Sequence, residues 1–248
     1  LGTAVSATQR LDQVLVARGL AESRAKAQAL IMAGKVKSGD RTLDKPGQPV
    51  AADIALIVAE PEHPWVSRGG QKLAHGLAHF GLSPAGLVCL DIGASTGGFT
   101  DVLLQAGAAR VYAVDVGHGQ LDWRLRQDGR VAVLERTNAR HLTAEQVREP
   151  VHAIVCDASF IGLRTVLPAA LALAASEAWL VALIKPQFEV GKDKVGKGGV
   201  VRDPALHAWA CETIVAWLGE QGWTVLGATE SPITGPKGNR EFLVAARR

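Results

Sequence analysis

Lys72, Asp157, Lys185 and Glu241 are the polar residues of this 248-residue sequence best placed to do chemistry. Asp157 and Lys185 each close an apolar run, Val155-Cys156-Asp157 and Leu183-Ile184-Lys185, so both should project at the rim of a sheet. Two ammonium groups and two carboxylates could orient a weakly acidic hydroxyl, accept its proton, or stabilise an oxygen anion as it develops. The same residue types also describe two ordinary salt bridges at a domain edge. On residue type alone that second reading is the stronger.

A second chemical signal is Val88-Cys89-Leu90-Asp91-Ile92-Gly93-Ala94-Ser95-Thr96-Gly97-Gly98-Phe99-Thr100, an apolar run entering a glycine-rich turn and then a helix. Open α/β sheets bind nucleotide-like ligands at such junctions. Gly93, Gly97 and Gly98 are spaced G-x-x-x-G-G, not the G-x-G-x-x-G that seats a pyrophosphate, and Asp91 would repel one. The methionine part of S-adenosylmethionine fits better, because its ammonium and sulfonium are cationic while its carboxylate can accept backbone N–H groups. The expected cofactor wall is Asp91, Gly93, Ala94, Ser95, Thr96, Gly97, Gly98 and Phe99, with Asp157 at its edge. Asp115 closes the next apolar run, 24 residues after Asp91, where a carboxylate can accept both ribose hydroxyls. Asn138 and Ala139, past the third run, could read adenine through a side-chain amide and a backbone N–H. A helix-capping turn and a surface acid are the competing readings, but placement at successive strand ends favours a cofactor.

These residues need elements to hold them. Apolar runs at 88–92, 111–116, 131–134, 154–157 and 179–184 alternate with helical stretches, which predicts a mostly parallel sheet covered on both faces. A helix at 204–220 follows, and pieces at 223–229 and 242–246 should close the sheet as an antiparallel hairpin. Upstream, Leu11, Val14, Leu15 and Leu20 lie on one face of a short helix with Gly19 near its end; Ser23 can cap a second helix that stops at Gly34. Short β-prone pieces are expected at 35–37 and 54–58. The organisation is a tail at 1–9, a small domain at 10–60, a proline-broken linker at 61–68, and a large domain at 69–248.

Pattern ties these signals together. The strings SRGGQKL, DIGASTGGFTD, ERTNAR, CDASFI, LIKPQFE, VVRDP and GPKGN.EF span nearly all of residues 67–242, and together they closely resemble the TlyA (hemolysin A) family. RLDQVLVARGLAESRAKAQALIMAGKV resembles the S4 domain, in which a helix pair and a basic turn rest against structured RNA. The resemblance implies an α/β fold: a Rossmann-like class I methyltransferase sheet, mostly parallel with one antiparallel strand, behind a small N-terminal α+β S4 domain. It implies an FtsJ-like ribose 2′-O-methyltransferase that uses S-adenosyl-L-methionine. Lys72, Asp157, Lys185 and Glu241 would be its Lys-Asp-Lys-Glu tetrad, with Lys185 central as proton acceptor or as a charge that steers the hydroxyl. The implied acceptor is a cytidine ribose, and the implied partner is ribosomal RNA or a ribosomal subunit. His63-Pro64-Trp65-Val66 departs from the Arg-Ala-Trp-Val of well-known members, so coupling between the domains is expected to differ. The sequence ends at Arg248, soon after the last expected strand, which resembles the shorter subtype of the family and implies large-subunit RNA as the acceptor.

Charge placement suits that partner better than total charge, which is only +3. Arg10, Arg18, Arg24, Lys26, Lys35 and Lys37 face two acids, Asp12 and Glu22, over the helix pair. Lys192, Lys194, Lys197 and Arg202 sit among glycines after Lys185, and Arg68 could extend the track. Solvated faces are the competing reading; phosphate contacts are the one the S4 pattern favours. Aromatic residues are only 5% of the chain, so shape recognition of a folded RNA with extrusion of one nucleotide is expected over stacking on many bases.

Other classes are disfavoured. Cys89, Cys156 and Cys211 are widely spaced and read as inert thiols, and the histidines lack zinc-ligand spacing, so no metal is expected. No apolar run reaches the length of a membrane span, so the expected location is cytoplasmic and a membrane-active hemolysin-like role is disfavoured. A nonenzymatic ribosome-binding module is disfavoured by the intact acids and Lys185, and a nitrogen acceptor by the lack of an Asn-Pro-Pro-Tyr string after the fourth strand.

Overall fold

The helix pair forms because its apolar residues recur on one face of each turn. In the computed structural model, which describes residues 8–59 and 63–248, β1 (Thr8–Arg10) leads into α1 (Leu11–Ala17), and α2 (Arg24–Met32) follows. Ser23 caps α2 by accepting the Lys26 N–H at 3.2 Å. Leu11, Val14, Leu15, Ala27 and Ile31 are buried with Val36, Leu43 and Val50. Leu20, expected on that face, is 37% exposed because α1 ends before it. β2 (Val36–Ser38), β3 (Arg41–Thr42), β4 (Pro49–Ala51) and β5 (Ile57–Val58) complete this unit. β3, β2 and β5 pair in that order, and β1 pairs with β4. Thr8 and Gln9, expected in a tail, are therefore in a strand, opposite Ala51 and Val50.

The chain divides between residues 62 and 63 into two compact units. Positions 60–62, part of the expected boundary region, and 1–7 of the tail lie outside the described residues. His63 to Arg68 were expected as linker, but they are bound into the second unit. Trp65 and Val66 pack against an apolar cluster that includes Leu73, Leu77, Phe99 and Val102, and the Val66 N–H donates to buried Asp101 at 2.8 Å. Gly70 is needed beneath the indole, since a Cβ there would sit 2.6 Å from the Trp65 ring.

In the second unit α3 (Gly69–Phe80) precedes β6 (Val88–Ile92), α4 (Gly98–Gln105), β7 (Arg110–Val114), α5 (Trp123–Gln127), β8 (Val131–Leu134) and β9 (Val151–Cys156). Then come α6 (Leu163–Val166), α7 (Pro168–Ala172), β10 (Ala174–Ile184), α8 (Pro186–Glu189), α9 (Pro204–Glu220), β11 (Thr224–Glu230) and β12 (Phe242–Arg247). Seven strands form one sheet in the order β11-β12-β10-β9-β6-β7-β8. Only β12 runs against the others, because it pairs antiparallel with both β10 and β11. One apolar cluster covers each face, which is why the central strands read as continuous apolar runs. The strand order reverses beside β6, so the carboxyl ends of β6, β7 and β9 open a crevice there.

Candidate active site

β9 and β10 lie side by side in register, Val181 opposite Val155 and Ala182 opposite Cys156, so the residues that follow them meet at the same edge. The Asp157 N–H also donates to the Ile92 carbonyl at 3.0 Å, which fixes Asp157 next to the end of β6. Lys185 Nζ lies 2.6 Å from Asp157 Oδ1 as a close ion pair, not an aligned hydrogen bond. It donates to the Asp157 carbonyl at 3.2 Å and to Ser159 Oγ at 2.8 Å. On the other side Lys72, from α3, donates to Glu241 Oε2 at 2.6 Å and stands 3.7 Å from Asp157 Oδ2. The four residues therefore form one alternating line, Glu241, Lys72, Asp157, Lys185. Lys72, Lys185 and Glu241 are buried; Asp157 retains partial access. Gly235 is required here, since any Cβ would collide with the Glu241 carboxylate.

This line opens on two adjoining cavities of about 360 and 280 Å³, which share Gly93, Ser95, Asp157 and Ser159. The first is also lined by Asp115, Gln120, Asn138, Ala139 and Phe160, and the second by Arg68, Lys72, Ala94, Thr96, Gly98, Phe99 and Lys185. Gly93 has φ +80°, and a Cβ on it would sit 2.9 Å from the Ala158 backbone, so glycine keeps the waist between them open. Asp115 accepts the Ser95 N–H at 2.8 Å and the Gly117 N–H at 2.7 Å. Asn138 uses its side-chain oxygen on the Arg140 N–H, leaving its NH₂ group for a ligand.

Two of the expected cofactor residues stand back from the cavities. Asp91 lines neither cavity: its side chain is fully buried on the α4 face of β6, where Thr100 Oγ1 donates to Oδ2 at 2.7 Å. Burial first, with added repulsion from Asp157 and Asp115, pushes this carboxyl up to about 7 against the opposing bond from Thr100. The side chains of one strand alternate between faces, so with Ile92 facing the crevice Asp91 faces away. Gly97 likewise turns from the cavities, toward Leu121 and Leu125. Glu241 also lines neither cavity and acts on them only through Lys72.

Sequence reasoning missed Ser159 and Phe160. Phe160 has φ +67° and is 90% exposed at the rim of the first cavity, its ring 5.4 Å from that of Phe188. The signal was a polar-aromatic pair two and three residues after a strand-end acid, in Asp157-Ala158-Ser159-Phe160. Glu189 holds the far end of this loop by accepting the Leu163 N–H at 2.8 Å, and burial pushes its carboxyl up.

The basic residues divide. Arg10 and Arg24 pair with buried Asp12 at 2.9 and 3.0 Å, and Arg18 donates to the carbonyls of Ile54 and Ala52. These three spend charge inside the small unit. Lys26, Lys37, Lys192, Lys197 and Arg202 are exposed, Lys35 is half-buried, and Lys194 sits over the Trp209 ring at 5.4 Å. The glycine-rich loop is anchored at its far end, where Asn239 accepts the Val201 N–H and donates to the Gly199 carbonyl. Among the described residues no helix is long and apolar enough to cross a membrane, and no group of three or more acids, histidines or cysteines could hold a metal.

A reversed last strand on a parallel sheet, with two joined cavities at the strand ends, defines a methyltransferase of the α/β class. The family model for FtsJ-like methyltransferases matches residues 65–248, and that for the S4 domain matches residues 9–53. The chain belongs to the FtsJ-like methyltransferase family, within the group of S4-containing members that includes TlyA and hemolysin A. It is 52% identical over 239 residues to the "16S/23S rRNA (cytidine-2'-O)-methyltransferase TlyA" of Mycobacterium tuberculosis, covering 96% of this chain and 89% of that one. It is 40% identical to "Hemolysin A" of Brachyspira hyodysenteriae, covering 94% and 98%. A solved structure from Streptococcus thermophilus described as a hemolysin matches with TM-score 0.75 and 40% identity, over 98% of this chain and 90% of that one.

Proposed function

We propose that this chain transfers a methyl group from S-adenosyl-L-methionine to the 2′-hydroxyl of a cytidine in ribosomal RNA. The observation that carries the reading is the alternating line Glu241, Lys72, Asp157, Lys185 ending at the waist of the joined cavities. The relatives named for this reaction support the acceptor. The cavities fit the cofactor's two parts. Asp115, Asn138 and Ala139 would hold the adenosine, and the backbone of Gly93, Ala94, Ser95, Thr96 and Gly98 the methionine. When bound, S-adenosylmethionine supplies an electrophilic methyl group.

The protein's own residues do the rest. Lys185 places positive charge beside the ribose oxygen, where it stabilises the alkoxide as it develops. Asp157, the one carboxylate of the four that borders the cavities, takes the hydroxyl proton. Lys72 and Glu241 fix Asp157 from behind. Phe160 offers an exposed ring to an extruded base. Lys26, Lys35, Lys37, Arg68, Lys192, Lys194, Lys197 and Arg202 supply phosphate contacts, with binding that weakens as salt rises. A ribosomal RNA substrate supports a cytoplasmic location.

One experiment tests donor, acceptor atom and position together. Ribosomal subunits from a strain lacking the enzyme are incubated with methyl-labelled S-adenosylmethionine, and the alkali-resistant ribose linkages are mapped. Label in a cytidine 2′-O-methyl group is expected, in small-subunit or large-subunit RNA. Label on a base or on protein would overturn the reading.

A further inference from the structure

The tetrad ends in a fifth group. Lys185 Nζ has three hydrogens, and three oxygens already surround it: Asp157 Oδ1 at 2.6 Å, the Asp157 carbonyl at 3.2 Å and Ser159 Oγ at 2.8 Å. Only 6% of the Lys185 side chain reaches the surface, whereas Ser159 is exposed and borders both cavities. Ser159 Oγ accepts from the ammonium, which leaves its own O–H hydrogen to donate, and no acceptor for it is found among the described residues. A hydroxyl that accepts from a cation is a polarised, stronger donor.

The geometry points to Ser159 as the group that touches the ribose oxygen and carries the influence of Lys185 to it. This rests on the proposed 2′-O-methyl transfer. The attacking oxygen directs one lone pair at the methyl carbon, so that the O–C bond forms as the carbon–sulfur bond breaks and its electron pair returns to sulfur as a neutral thioether, and it gives its hydrogen to Asp157. Its second lone pair accepts the Ser159 O–H, which in turn accepts from Lys185 Nζ. No proton passes through Ser159; it holds the oxygen in line and stabilises the charge that grows there. The direct alternative has Lys185 drop Ser159 and donate to the ribose oxygen itself.

The test compares Ser159→Ala and Ser159→Thr in the full chain, with ribosomal subunits as acceptor. It follows single-turnover rate, KM for RNA, cofactor Kd by calorimetry, and melting temperature. Ser159→Ala is expected to lose at least about tenfold in kcat while KM, cofactor Kd and melting temperature hold, and Ser159→Thr, which keeps a hydroxyl, to recover most of the rate. A wild-type kcat in Ser159→Ala would overturn the inference in favour of direct donation by Lys185. Equal slowness of the Thr and Ala variants would overturn it by showing that the hydroxyl is not the active group. Wild-type protein that labels no ribose 2′-oxygen would instead sink the functional reading, a result seen before any Ser159 variant is made.

Discussion

Each unit holds a cluster of cations and acid, around Asp12 in the small one and around Asp157 in the large one, and the two put their charge to opposite uses. In the small unit Arg10, Arg24 and Gln28 converge on Asp12, whose side chain is wholly buried. The hydrogen bond from Arg10, above all, holds that carboxyl well below the usual carboxylate range. In the large unit the charges alternate through four residues, and the line runs out into a cavity at Ser159. The first cluster is closed and joins the start of α1 to α2. The second is open at one end, so an incoming oxygen can complete it. A count of basic residues cannot tell the two apart; what separates them is whether a polar atom is left facing a space.

The contrast is sharpest at Lys185. Lys185→Ala is expected to lower methyl transfer by about a thousandfold while cofactor affinity holds, measured by single-turnover rates and calorimetry. Near-normal turnover would place Lys185 with Asp12 as a structural charge.

Asp12→Ala should do the reverse, lowering the melting temperature of the small unit and its RNA affinity while turnover at saturating RNA survives. The pH sign follows from the lowered carboxyl. Its stabilisation is present above about pH 4 and is lost as pH falls through the depressed native value. Asp12→Asn should melt below wild type at neutral pH and show less further loss on acidification, which would sharpen the comparison, whereas a melting curve unchanged from wild type at both pH values would break it.

Asp91 carries the opposite sign. Its native value near 7 lies above the unfolded one, so the folded state binds the extra proton and stability should fall as pH rises from about 4 to 7. The slope is on the order of 1 kcal/mol per pH unit. Asp91→Asn should remove it, read from melting temperatures across that range. A slope that persists would mean another group titrates.

The smallest effect is expected at the exposed cations. Lys26→Glu should weaken RNA binding severalfold and lower its salt dependence without moving the melting temperature, whereas Arg24→Glu should move the melting temperature first. Identical behaviour of the two variants would erase the distinction between spent and available charge.

Much of the larger fold was legible because its central strands are buried on both faces and therefore spell continuous apolar runs, as at 88–92 and 179–184. β1, β3 and β4 were not legible, because strands of two or three residues have no period to read; β2 and β5, equally short, showed only as β-prone pieces between turn-rich residues. The bound segment around Trp65 looked like linker because its prolines and charges carry no sign of the indole's pocket. In the site, Asp157 and Lys185 were visible as strand-end residues, while Lys72 and Glu241 stood out only by residue type and took their role from the motif strings. For Asp91, which face of β6 meets the crevice is not written in the strand itself, and its side chain lies on the face turned away.

By itself the sequence determined which chemical groups are present, the order in which they follow the strands, and the family pattern they compose, because these are properties of residues and their spacing. Only the tertiary structure decided that Lys72 bridges Glu241 and Asp157 and that Ser159 caps Lys185. Those meetings depend on how β9, β10 and β12 align, and that register is set by backbone pairing and shared burial, which no single stretch of sequence specifies.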